Sequence, residues 1–175
     1  MTQNPKDYPK WGKFFRADDS RGSWSRSFEA EIFEALALEV AQTSVSRTTR
    51  SGTLRGLHSM QLDAQEWKLV SCVAGEVWDV VVDVAAAGEN FGAHHSARMS
   101  GKNGDWVLIP PGYAHGFVTL SDEVVMAYTM SAAYQSDREE GYRYDDPVFG
   151  IRWPIGIQEI SNKDRSFPLV KRVTP

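Results

Sequence analysis

The sequence is poor in cysteine, in basic charge and in long apolar runs, and each shortage removes a class of protein. Cys72 is the single cysteine among 175 residues, so no internal disulfide can form, and a lone thiol suits a reducing compartment. The 19 lysines and arginines are outnumbered by 23 acidic residues, for a formal net charge of −4. That balance leaves no basic footprint for nucleic acid or for an anionic membrane surface. No apolar run approaches the roughly 20 residues of a membrane-spanning helix, and the stretch 1–10 is polar rather than leader-like. Internal repeats, low-complexity tracts and linkers are missing as well. What remains is one domain over residues 1–175, expected in the cytoplasm. A chain of this length buries about 70% of its unfolded surface.

What is present is mostly β in pattern. One helix is predicted around Ser27–Leu38, where Phe28, Ile32 and Leu36 recur every four residues, with Ser27 as N-cap and Glu29 and Glu31 in the first turn. From about Leu54 to Met130 the period changes. Trp67–Val73, Glu76–Val84, Asp105–Ile109, Tyr113–Leu120 and Glu123–Met130 are rich in valine, aromatic and β-branched residues. Turn residues separate them at Ala74-Gly75, Gly101–Gly104, Pro110–Gly112 and Ser121-Asp122. Short strands at this spacing predict an all-β sandwich or barrel. The tail from Pro147 to Pro175 alternates proline, glycine and aromatics, and is expected to cross the barrel as an irregular strap. Asp79 and Asp83 share one face of their strand, which reads as an exposed polar face. His94 and His95 are adjacent on a strand, point to opposite faces and do not suit one metal ion.

Two glycine-bounded stretches resemble the paired motifs of the cupin jelly roll. In the second, Gly104 and the Pro111-Gly112 turn reverse the chain and send His115 into the barrel. The first runs from Gly52 through His58 and Lys68 to Gly75. Metal-binding cupins carry a second histidine where this chain has Met60, and a glutamate where it has Lys68. A lysine ammonium repels a divalent ion that wants carboxylate and imidazole. No metal is therefore expected, and the pocket needs a metal-free use for two histidines and a lysine.

Longer motifs narrow the reading. Leu54–His58, Lys68–Val70, Gly75–Asp83, Ile109–Phe117 and Tyr142–Pro147, in that order, resemble the signatures of the dTDP-4-dehydrorhamnose 3,5-epimerases, and the likeness runs from Arg21 to about Asp164. The resemblance implies a cupin-type jelly roll and an isomerase that inverts C3, C5 or both of a nucleotide-linked 4-keto-6-deoxyhexose without a cofactor. The ketone acidifies the neighbouring carbons, so such an enzyme needs a base, an enolate stabiliser and an acid on the opposite face. The resemblance assigns these to His58, Lys68 and Tyr128, with Asp164 orienting and polarising His58.

The same resemblance implies that Arg21 and Arg55 hold the diphosphate, a task suited to a guanidinium fork. It places Gln42 along the nucleotide, and His115, Glu139 and Lys163 in contact with ligand. It further implies a homodimer in which the N-terminal segment crosses to the partner's pocket, covering a sheet edge as it does so. Arg26, Ser23 and Ser44 depart from the family's pattern on the base-binding side, which opens the choice of nucleotide. Two other functions compete: a sugar-nucleotide binding protein without catalysis, and a metal-dependent cupin enzyme built on His58 and His115.

Overall fold

The valine-rich stretches form strands, and they do so in two sheets that close face to face. The computed structural model describes residues 9–85 and 90–170; the polar stretch 1–8 and the end of the tail, 171–175, lie outside them. In chain order the elements are β1 (Lys10–Lys13), β2 (Arg16–Asp19), β3 (Gly22–Ser25), α1 (Ala30–Glu34), β4 (Gln42–Thr48), β5 (Thr53–Met60), β6 (Lys68–Ala74), β7 (Glu76–Asp83), β8 (His94–Ser100), β9 (Asp105–Ile109), β10 (Tyr113–Thr119), β11 (Val124–Met130), β12 (Glu139–Gly141), β13 (Glu159–Ile160) and α2 (Asn162–Ser166). One sheet has the order β1-β9-β6-β11-β4 and the other β12-β5-β10-β7-β8, with β13 joined to β5. β2 and β3 form a separate hairpin.

The core lies between the sheets. Val70, Cys72, Val107, Ile109 and Met126 face Val77, Val81, Met99 and Phe117. The outer faces are covered too, which is why several strands read as continuous apolar runs rather than alternating ones. α1 and its neighbours pack Phe28, Ile32 and Phe33 over Leu69, Trp106 and Leu108 on one side. The tail packs Val148, Phe149, Ile151 and Trp153 over Leu57, Val80, Val82 and Ala114 on the other. The expected strap is thus present, and it contains β13 and α2, which the proline–glycine pattern did not suggest.

Two expectations need correction. The helix is shorter than the apolar period predicts: Ser27 does not cap it, and Glu29 stands at the N-cap without a side-chain bond. It ends where Ala37 turns left-handed at φ 54, with Leu38 N–H donating to Phe33 O and Ala37 N–H to Glu34 O. This is a Schellman closure. Leu36 still packs on the helix-side cluster, so the periodicity described a buried face that outlasts the helix. Asp79 and Asp83 are not exposed; they are 0% and 8% accessible. On β7 the tail covers Trp78, Val80 and Val82, so residues 77, 79, 81 and 83 are the ones that face inward.

A β-bulge sets up the site. β10 pairs with β5 through His115↔His58, but two residues on, Phe117 pairs with Arg55, three residues away. Strict alternation would place residues 55 and 58 on opposite faces. The extra residue returns both to the inside while Leu57 packs outward beneath the tail. Glycine is needed here: Gly56 has φ +122, and a Cβ on it would lie 2.6 Å from Gly116 Cα.

Candidate active site

The sheets leave a cavity of about 540 Å³ at one end, lined by residues from both. It gathers His58, Lys68, Tyr128, Asp164, Arg55, His115, Glu139 and Lys163. Two members of the predicted set are elsewhere in this chain. Arg21 is exposed on the β2–β3 hairpin and pairs with Asp19 at 2.6 Å. Gln42 opens β4 just beyond the lining: its Nε2 donates to Ser44 Oγ at 3.0 Å and its Oε1 accepts from Tyr134 N–H at 3.1 Å. Of the departures from the family pattern, Arg26 pairs with Glu29 at 2.8 Å and lies over Phe15, away from the cavity. Ser23 sits on β3 opposite Asp18. Ser44 faces Tyr128 across the β4–β11 ladder.

His58 is fixed by the tail. Asp164 Oδ1 lies 2.8 Å from His58 Nε2, and Asp164 Oδ2 accepts from Gly56 N–H at 3.2 Å. α2 presents this carboxylate: Ser161 caps the helix by accepting from Asp164 N–H at 3.0 Å. Burial works against the Asp164 charge, but the His58 hydrogen bond and field, with Gly56 N–H and Ser161, outweigh it. The net effect holds the carboxyl below its ordinary value. Asp164 therefore stays ionised beside the imidazole.

Tyr128 is placed by β11, with its hydroxyl 3.2 Å from Ser46 Oγ on β4. Burial pushes the phenol up to about 12, with Asp79 adding to the rise while Ser46 and Arg55 oppose it. The group is a neutral O–H at physiological pH, able to give a proton but not to act as a resident phenolate. Its ring stands edge-on to His115, centroids 6.4 Å apart.

The remaining charges are mostly paired. Lys68 Nζ is 3.0 Å from Glu66 Oε1, His115 Nε2 is 2.7 Å from Asp79 Oδ2, and Lys163 Nζ is 2.6 Å from Glu139 Oε2. For Glu139, burial opposes the charge but Lys163, the Tyr134 hydroxyl and His58 together hold the carboxyl down; Glu139 in turn holds Lys163 up. Arg55 differs. Its Nε donates to Thr48 Oγ1 at 2.8 Å and its Nη2 to Arg47 O at 3.3 Å, both neutral oxygens. Among the described residues it is the lining cation with no carboxylate partner, and so the one whose charge is open to an anion.

Two residues of the site were not singled out from the sequence. Asp79 supports His115 from the floor, and Glu66 stands beside Lys68. The signal for Asp79 was its place within a run of valines, a setting where a solvated aspartate is out of character. Glu66 precedes its strand and carried no periodic signal.

Two sheets packed face to face, antiparallel throughout except for the short β13 parallel to β5, with histidines directed into the open end, define a cupin-type jelly roll. Residues 13–172 match the family profile of dTDP-4-dehydrorhamnose 3,5-epimerase. A curated enzyme of that name from Sinorhizobium fredii is 37% identical over 153 residues, covering 86% of this chain and 78% of that one. Among solved structures, the dTDP-6-deoxy-D-glucose-3,5-epimerase of Legionella pneumophila, in complex with dTDP-4-keto-L-rhamnose, superposes with a TM-score of 0.84 at 36% identity, covering 96% of this chain and 90% of that one. A 3'-monoepimerase from Streptomyces bikiniensis in complex with dTDP-quinovose gives 0.82 at 31% identity, covering 91% and 82%. The chain belongs to the dTDP-4-dehydrorhamnose 3,5-epimerase family, a family of isomerases. No helix among the described residues is long and apolar enough to cross a membrane.

Proposed function

We propose that the chain, as one domain over 1–175, is an epimerase of a thymidine-diphosphate 4-keto-6-deoxyhexose, working by proton transfer between His58 and Tyr128. The observation that carries this reading is the pairing of opposite characters in one cavity. His58 is held by an ionised carboxylate, as a base needs, and Tyr128 is held protonated, as an acid needs. His58 removes the proton from carbon beside the ketone. Asp164 steadies the imidazolium that results. Lys68 donates to the keto oxygen as the enolate forms, and Tyr128 returns a proton from the other face. Arg55, with its open charge, takes the diphosphate.

The thymidine assignment draws on the ligands bound by the two solved relatives. A homodimer completes the picture: β1 stays beside β9 in its own chain's sheet, and the β2–β3 hairpin reaches over so that Arg21, remote from its own chain's cavity, enters the partner's. A cytoplasmic location fits the single buried thiol. Deuterium wash-in tests the reaction. In heavy water, the purified protein is expected to exchange hydrogen at C3, C5 or both of thymidine-diphosphate-4-keto-6-deoxyglucose. Absence of exchange with this and with guanosine- and cytidine-linked 4-keto sugars would end the proposal.

A further inference from the structure

Glu66 lies just ahead of β6 and is 7% exposed; Lys68 opens the strand, and both side chains line the cavity. Glu66 Oε1 stands 3.0 Å from Lys68 Nζ, yet it is shielded from solvent and accepts no aligned hydrogen bond from any described residue. A shielded carboxylate oxygen that meets an ammonium without an aligned hydrogen bond keeps accepting capacity that a ligand donor can use. Lys68 faces Met130 across the β6–β11 ladder, with Tyr128 two residues along the same face. The pair therefore borders the place where the chemistry is assigned.

A cationic donor and an anionic acceptor 3.0 Å apart match a ligand that presents an acceptor and a donor on neighbouring atoms. A ketone with a hydroxyl on the adjacent carbon is such a group. Its carbonyl oxygen accepts from the Lys68 ammonium while its hydroxyl donates to Glu66. We propose that Glu66 is a specificity-determining residue that selects sugar nucleotides carrying a hydrogen-bond donor, a hydroxyl or an amine, on the carbon beside the ketone. In a 4-keto-6-deoxyhexose only C3 carries that donor, because C5 bears the ring oxygen and the methyl group. The contact thus also fixes which flank of the ketone faces the Lys68–Glu66 pair. A 3-deoxy or 3-O-methyl sugar leaves Oε1 unsatisfied. This inference rests on the epimerase reading and assigns a selectivity within it.

The test is calorimetric binding of thymidine-diphosphate-4,6-dideoxy-4-fluoroglucose, whose C4 fluorine accepts but cannot donate and which, lacking the ketone, is inert to proton abstraction, against its 3-deoxy counterpart. The wild-type protein is expected to hold the 3-hydroxyl sugar about 10–100-fold more tightly, the range for a hydrogen bond to a charged group. Glu66→Ala is expected to shrink this advantage to within about 3-fold. Glu66→Gln should fall between, since its amide oxygen still accepts but without charge. Thymidine diphosphate alone should bind all three proteins alike, which separates lost selectivity from lost folding. An undiminished advantage in both variants overturns the inference and leaves the epimerase reading intact. A wild-type protein that binds neither sugar nucleotide overturns the substrate reading, and the inference with it.

Discussion

Asp164 enters the cavity with both oxygens engaged, one by the His58 ring and one by Gly56 N–H. Because its folded-state pKa is lowered, it contributes stability that is present above the unfolded value, near 3.8, and lost as pH falls through the folded value. Asp164→Asn removes that contribution. The variant should melt below the wild type at neutral pH, with the gap closing as the pH is taken down past the unfolded value of 3.8 and through the lower folded one. Thermal melts across that range check it, and a gap that stays constant would refute the linkage. Exchange at the sugar should slow by about 10²-fold in the same variant, the scale of one positioned acid–base group.

At this scale most of the site was legible, but only through its motifs. Taken singly, His58, Lys68 and Tyr128 are an ordinary strand histidine, lysine and aromatic, and it is their joint order that marks them. Asp79 was missed because both faces of β7 are buried, one by the core and one by the tail. Alternation then carries no information about which face meets solvent.

Among the elements, the bulge in β5 matters most to the site. It sets Arg55 and His58 on one face, and it depends on two glycines in backbone contact. A Cβ at Gly56 would meet His115 O at 2.8 Å as well as Gly116 Cα, at a φ that L side chains rarely adopt. Gly56→Ala is expected to cost about 3 kcal/mol, overpacking and backbone strain together. Urea unfolding measures this, and a loss below about 1 kcal/mol would mean that the ladder relaxes around the methyl group. Strand positions were readable because valine and aromatic runs bounded by turn residues specify them. The parity change at the bulge was not, since nothing in Leu54–His58 departs from a regular strand except the glycine. The length of α1 was misjudged for a related reason. Leu36 continues the apolar period although the helix has already ended at Glu34.

For the whole molecule, the question is how many chains build one pocket. In the proposed dimer each pocket takes His58 from one chain and Arg21 from the other. Arg21→Ala and His58→Asn proteins, each inactive alone, should then complement on mixing. A mixed dimer has one pocket with both residues intact, so random exchange restores about a quarter of wild-type activity. No recovery after confirmed subunit exchange would place Arg21 outside the site. Exposed Phe15 and Trp24, at 55% and 59%, lie on the segment that would become covered.

Cys72 offers a way to watch that crossing. The thiol is 2% accessible, and burial pushes it up to about 12 despite a backbone hydrogen bond. At neutral pH it is neither a thiolate nor within reach of a reagent. The wild-type chain is therefore silent to maleimide and spin-label chemistry. A cysteine placed at Ser23 would be the single labelled site per chain, so dipolar spectroscopy could read the distance between two N-terminal arms without first deleting a native residue from the core.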